Sequence, residues 1–123
     1  MKAILLVSHG SKEPKAREEI EALIPKIKKR NKTAIVKSAF LEIESPDIPQ
    51  GIHQCIAEGA TRVIILLNFL NSGRHAGIDI PQIVRRESCK YPGVKFSITK
   101  PIAQADAIIE IFLKLIDEQT DAI

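Results

Sequence analysis

Four short apolar runs, separated by segments of helical periodicity, leave this chain few folds to choose from. Lys2–Ser8 (KAILLVS) and Arg62–Asn68 (RVIILLN) are almost continuously apolar, the mark of strands covered on both faces. Thr33–Ile43 (TAIVKSAFLEI) is rich in β-branched and aromatic residues and reads as a strand between them, and Val94–Thr99 reads as a fourth. Between Pro14 and Arg30 the residues Ala16, Ile20, Leu23, Ile24 and Ile27 recur at helical spacing. Ser45-Pro46 has the chemistry of an N-cap followed by a first-turn proline, opening a helix with Ile48, Ile52, Cys55 and Ile56 on one face and Gly59 at its end. A third helix near Asp79 turns Ile80, Ile83, Val84 and Tyr91 inward and ends at Pro92-Gly93; Ala103–Glu118 forms the last. The order β-α-β-α-β-α-β-α predicts an α/β fold: one four-stranded parallel sheet, helices on both faces, right-handed crossovers, and a single domain over residues 1–123. The simplest strand order is 2-1-3-4, as in flavodoxin-like folds.

That order locates a site before any motif is considered. In open α/β sheets ligands sit beyond the carboxyl ends of the strands, where the winding reverses, here between the first and third strands. The first strand ends in Val7-Ser8-His9-Gly10-Ser11, and the third runs out into Phe69-Leu70-Asn71-Ser72-Gly73-Arg74-His75. Two of the 3 histidines therefore fall in the loops flanking the crevice, and the second strand brings Glu42 to the same edge.

Composition narrows the chemistry. A net charge of +3 and 4% aromatic residues argue against a nucleic-acid-binding surface built on stacking. The apolar stretch Val63–Leu67 is far too short to span a bilayer, and Met1-Lys2-Ala3 leads into a strand with no small-residue cleavage site, so neither a membrane span nor a secretory signal is expected. Two cysteines, Cys55 and Cys89, exclude a disulfide framework and point to a reducing, cytoplasmic setting.

Two imidazoles and a carboxylate on separate loops suit an open site for divalent cobalt, nickel, iron or zinc, since fewer than four protein ligands leave room for a substrate. Imidazole also titrates near neutral pH, so one ring can accept a proton. No G-x-x-x-x-G-K-[ST] loop is present, in keeping with chemistry that needs no ATP.

The runs LLVSHGS, AFLEIESPDIP and NFLNSGRHAGIDIP, in this order and at these separations, resemble the short form of the sirohydrochlorin cobaltochelatase family, the ATP-independent class II chelatases. The resemblance covers essentially the whole chain and implies a chelatase-like half domain. Carried onto these positions, it implies that His9 is the proton acceptor and a metal ligand, that His75 is the second ligand, and that Glu42 is a weaker ligand or proton relay. Ser45 and the stretch Leu70, Asn71, Ser72, Gly73, Arg74 and His75 would contact the tetrapyrrole. The implied reaction inserts Co2+, or Ni2+ as in close relatives, into sirohydrochlorin on a cobalamin-type pathway, with the metal as substrate and no tightly bound cofactor. Insertion expels two pyrrole protons, which a base beside the ion must take. Gly10, Gly73 and Gly77 would let the backbone approach a flat ring, while Arg74 and Lys12 would meet its carboxylates. Longer members of the family hold two such halves in one chain, so a symmetric homodimer with a shared cleft is expected.

Plainer readings apply elsewhere. Ser45 suffices as an N-cap, and Asp79 with Gln82 has the spacing of a capping box. Lys26, Lys28, Lys29, Arg30 and Lys32 read as a solvated helix end, His53 as a surface residue, and Cys55 as core. Ile108, Ile109, Phe112, Leu113 and Ile116 read as a core stripe that could also meet a second subunit. Two rival functions stand beside the chelatase: a metal or tetrapyrrole carrier that binds without inserting, and phosphoryl transfer through His9. The second lacks the arginine that a phosphohistidine site needs before the histidine, because Ser8 stands there.

Overall fold

β1 (Lys2–Ser8) lies in the middle of the sheet and is buried from Ala3 to Ser8, because it is paired on both edges and covered on both faces. In the computed structural model, which describes residues 1–122, it pairs in parallel with β2 (Ile35–Phe40) and β3 (Arg62–Leu67), and β3 pairs with β4 (Lys95–Ile98). The strand order is 2-1-3-4, as the alternation predicts.

Ala3, Leu5 and Val7 of β1, with Val63, Ile65 and Leu67 of β3, face the main core. α3 (Ile48–Ala57) covers them with Ile48, Gly51, Ile52 and Cys55, spaced i, i+3, i+4, i+7. α4 (Ile80–Ser88) adds Ile80 and Val84. A Cβ on Gly51 would lie 2.8 Å from the Ala39 Cβ and 3.0 Å from a Leu5 methyl, so α3 sits against the sheet at a distance that only glycine permits. Burial also pushes the Cys55 thiol up to about 11, with Glu58 adding to the shift and Lys37 opposing it.

Several local readings are corrected. The single helix expected over Pro14–Arg30 is two, α1 (Pro14–Glu21) and α2 (Leu23–Lys29), because Pro25 has no N–H for the Glu21 carbonyl and its ring crowds that group. The cap of α3 is Asp47, not Ser45: the Asp47 side chain accepts from the Gln50 N–H at 2.8 Å while the Gln50 side chain accepts from the Asp47 N–H at 2.9 Å, with Pro49 in the first turn. α5 (Ala107–Asp117) is shorter than expected and does not lie on the sheet. Of the stripe expected in the core only Ile108 is buried; Ile109, Phe112, Leu113 and Ile116 are exposed, because the short 3-10 turn Ile102–Gln104 leads the helix away from the domain. Among the described residues no helix is long and apolar enough to cross a membrane.

Two measurements test this packing. Gly51→Ala should lower unfolding stability by about 1–3 kcal/mol in denaturant titration, since a methyl group must be forced between Leu5 and Ala39. A thiol reagent on the native chain should modify Cys89, which is exposed, and reach Cys55 only after unfolding.

Candidate metal and ring site

The site begins where β1 ends, and backbone pairing assembles it. The Leu41 N–H donates to the Ser8 carbonyl at 2.9 Å and the Glu42 N–H to the His9 carbonyl at 3.1 Å, so the β1–β2 pairing runs two residues past β2 and sets Glu42 beside His9. Gly10 makes this approach feasible. Its φ is +105°, and a Cβ there would fall 1.9 Å from the Glu42 carbonyl oxygen. On the other side the Asn68 N–H donates to the Val7 carbonyl at 2.8 Å, and its side-chain amide donates to the Ser8 hydroxyl at 3.0 Å. The loops after the first and third strands are thus joined at the switch point of the sheet.

Two devices stiffen the loop after β2. Glu44, whose side chain is 12% exposed, accepts from the Ser11 N–H at 3.0 Å and from Arg17 at 3.4 Å, and the Arg17 guanidinium lies 5.1 Å from the centre of the Phe40 ring. Ile43, between Glu42 and Glu44, has φ +73°, a conformation that a β-branched side chain adopts only when its surroundings enforce it. Ile43 is exposed, so packing of its own side chain does not account for the strain. The strain falls next to the carboxylate that the loop presents.

His75 comes from a π-helical turn, His75–Asp79, in which the Ile80 N–H reaches back to the His75 carbonyl before α4 proper begins. Asp79 does not cap α4 as its spacing suggests. Its backbone is already helical, and its carboxylate instead accepts from His75 Nδ1 at 2.9 Å. A ring held this way keeps its proton on Nδ1 and presents the Nε2 lone pair outward, the usual arrangement for an imidazole that ligates a metal.

The three side chains converge. His9 Nε2 lies 2.8 Å from Glu42 Oε1, the two imidazole centres are 5.0 Å apart at an interplanar angle of 44°, and one donor atom from each of His9, Glu42 and His75 lies within 4.8 Å of the others. Small side-chain rotations would bring all three onto one divalent cation at nitrogen and oxygen bond lengths of about 2.0–2.2 Å. Each is about half exposed: 45% for His9, 54% for Glu42 and 49% for His75. An ion held there would keep open positions facing outward.

The remaining candidates are distributed unevenly. Leu70, Asn71, Ser72, Gly73 and Arg74 are all exposed on the loop leading into the π turn, and a Cβ at Gly73 or Gly77 would meet no atom within 4 Å. A cleft of about 230 Å³ beside His9 is lined by Gly10, Ser11, Phe40, Glu44 and Asn68. Ser45 lines a different cleft of about 670 Å³, between α3 and the end of α4, with His53, Lys90 and Tyr91. The structure does not bring Ser45 into the histidine cluster. Sequence reading missed Glu44, Asn68 and the role of Asp79. Of these only Asp79 carried a usable signal, a carboxylate four residues after a candidate ligand histidine, which on a helix places the two together.

Comparison with known proteins gives a consistent picture. A family model described as CbiX matches residues 3–119. The sirohydrochlorin ferrochelatase of Priestia megaterium is 35% identical over 118 residues, covering 96% of this chain and 44% of that one. The sirohydrochlorin cobaltochelatase of Methanococcus aeolicus is 41% identical over 90 residues, covering 73% of this chain and 63% of that one. Among solved structures, the sirohydrochlorin chelatase SirB from Bacillus subtilis subspecies spizizenii, in complex with cobalt, superposes with a TM-score of 0.80 at 32% identity, over 95% of this chain and 50% of that one. SirB from Bacillus subtilis with Fe3+ gives 0.84 at 30% identity, over 98% and 48%. The chain thus spans about half the length of the Priestia megaterium ferrochelatase and of the two SirB chains.

If the three donors form one cation site, wild type should bind Co2+ in calorimetric titration, and His75→Ala should remove most of that binding. Asp79→Asn should weaken it by about 10- to 100-fold while leaving the circular dichroism spectrum unchanged. Equal affinity in wild type and Asp79→Asn would separate Asp79 from the site.

Proposed function

The chain belongs to the CbiX family, and on that footing we propose that it is an ATP-independent sirohydrochlorin chelatase that inserts a divalent metal, cobalt in the first instance, into its tetrapyrrole substrate. The observation that carries this reading is the meeting of two imidazoles and a carboxylate, from two loops and a π-helical turn, at the exposed end of a parallel sheet. Metal insertion needs a cation held loosely enough to be released, a base for two pyrrole protons, and a surface on which a flat ring can lie. His75, oriented by Asp79, serves as the fixed ligand. His9 would hold the ion and, once the ring has taken the metal, its freed nitrogen would accept one pyrrole proton, while Glu42, hydrogen-bonded to it, would take the other or complete the ligand set before insertion. Half-exposed donors suit this better than a buried cage would, because the ring must replace the protein around the ion.

The ring would lie over the loop Leu70–Arg74, with Arg74 and Lys12 meeting its carboxylates and Ser45 at the far rim. Cobalt is taken first from the motif resemblance and from the match to the cobaltochelatase of Methanococcus aeolicus, 41% identical over 90 residues, while the ferrochelatase of Priestia megaterium matches over 118 residues at 35%. The donor set itself accommodates cobalt, nickel and iron. The unit acts as one domain and as a homodimer, since a ring of this size overhangs a site so shallow and the chain spans about half of each SirB chain. Two free thiols suit work in a reducing compartment such as the cytoplasm.

Anaerobic incubation with sirohydrochlorin and Co2+, Ni2+ or Fe2+, without ATP, tests the reading through the absorbance change on insertion. Many turnovers per chain are expected, fastest with cobalt, and a rate lower by at least about 100-fold in His9→Ala and in His75→Ala, both with native circular dichroism. Product limited to one equivalent per chain would make the protein a carrier. Equal rates in wild type and the double variant would reject the assignment, and a clear preference for iron would reassign the metal.

A further inference from the structure

The loop from β2 to α3 is tied at both ends and strained in the middle. At its start the Leu41 and Glu42 N–H groups bond to the carbonyls of Ser8 and His9, and the Phe40 N–H reaches across to the Pro46 carbonyl at 2.9 Å. Between these ties the Glu44 N–H donates to the Glu42 carbonyl at 2.8 Å, which closes a γ-turn around Ile43. With φ at +73° this is the rare, strained hand of that turn, and a β-branched residue suits its centre poorly. The chain places glycine at two other positive-φ positions, Gly10 and Gly59, but isoleucine here.

The group that holds the turn belongs to the next residue. Glu44 turns its side chain into the cleft beside His9, where its two oxygens have separate partners: Oε2 accepts from the Ser11 N–H at 3.0 Å and Oε1 from Arg17 at 3.4 Å. Arg17 is fixed in its turn, with Nε donating to Glu21 at 3.0 Å and the guanidinium resting against the Phe40 ring. A continuous set of contacts therefore runs from α1 through Arg17 and Glu44 to the Ile43 turn. On the far side of that turn is Glu42, whose Oε1 meets His9 Nε2.

We propose that Glu44 and Arg17 are positioning residues for the Glu42 carboxylate: they latch a turn that would otherwise relax to negative φ and draw Glu42 away from His9. Folding stability does not explain the arrangement. The turn costs stability, and an ion pair whose arginine is 37% exposed adds little. Isoleucine makes the relaxed turn the favoured one whenever the latch is open, so the placing of Glu42 depends on Glu44. Glycine is at ease with either sign of φ and would break that dependence. The inference rests on the role proposed above for Glu42 and extends it to groups that touch neither ion nor ring.

Co2+ titration, read by calorimetry and by the visible d–d absorption of the bound ion, tests this. Glu44→Ala should bind Co2+ about 10-fold more weakly, with its spectrum moved toward that of Glu42→Gln, while Ile43→Gly alone stays within about 3-fold of wild type. In the Ile43→Gly background the loss caused by Glu44→Ala should shrink to about 3-fold or less, because the unlatched turn no longer springs open. Glu44→Gln, which keeps an acceptor for the Ser11 N–H but not the ion pair, should fall between wild type and Glu44→Ala. Should Glu44→Ala lose its native circular dichroism, Glu44→Gln and Arg17→Met carry the same comparison. Wild-type affinity and spectrum in the latch variants would overturn the proposal, and so would equal losses in the two backgrounds. Both results leave the metal site standing, whereas a wild-type chain that binds no Co2+ would overturn the site and this inference with it.

Discussion

The site depends on hydrogen bonding that continues where the sheet would ordinarily stop. β1 is held between two parallel neighbours, and its pairing with the chain after β2 persists through Leu41 and Glu42, onto the carbonyls of Ser8 and His9. Each of these bonds is modest by itself. Together they fix the separation of His9 and Glu42 by backbone, which leaves the side chains free to answer to chemistry. Gly10 is the condition for it, because any larger residue would collide with the Glu42 carbonyl. An exposed imidazole–carboxylate pair adds little to folding stability. The elaborate support beneath this one, Glu44 with Arg17 and Phe40, the turn at Ile43, and Asn68 across Ser8, is therefore better understood as service to position than to stability.

Much of this was legible before any coordinates. Near-continuous apolar runs alternating with helical periodicity define a parallel sheet, the sheet order defines a switch point, and His9, His75 and Glu42 fall at it by chain position alone. The misreadings share one cause: the same residues satisfy more than one local rule. Ser45-Pro46 and Asp47-Ile48-Pro49 are both acceptable helix starts, and the reciprocal bonds with Gln50, visible only in three dimensions, select the second. Asp79 has the spacing of a cap and also the spacing of a histidine partner, and the π turn before it selects the partner role. The apolar stripe of α5 has the spacing of a core face, yet all of it but Ile108 is exposed, because spacing alone does not say what a stripe packs against. Glu44 left no trace in the sequence, because its value lies in contacts 27 and 33 residues away.

The architecture divides labour between its two ends and faces. The face under α3 and α4 is tightly filled, down to a glycine that admits no methyl group, and it supplies the rigidity from which the strand ends project. The opposite face is left partly open, and the end bearing the histidines is shallow. Both unfinished surfaces communicate through the same short stretch, the segment 69–72 bonded to the turn before α5. On the proposed reading the edge admits and releases a wide planar molecule, and its openness suits that, whereas a fully enclosed pocket would oppose product departure.

The π turn at His75–Asp79 has a consequence for how this segment can change over time. Such a turn is an α-helix carrying one surplus residue, accommodated by a single widened loop of backbone. Loss of one residue there would restore a regular helix and swing everything before it by about 100° relative to α4, carrying the imidazole out of the cluster. The interval between the histidine and the hydrophobic anchor Ile80 is therefore fixed by arithmetic rather than by side-chain identity. Apart from Asp79, which holds the ring, and the buried Ala76, substitutions within it are tolerable in principle, whereas a change in its length is not.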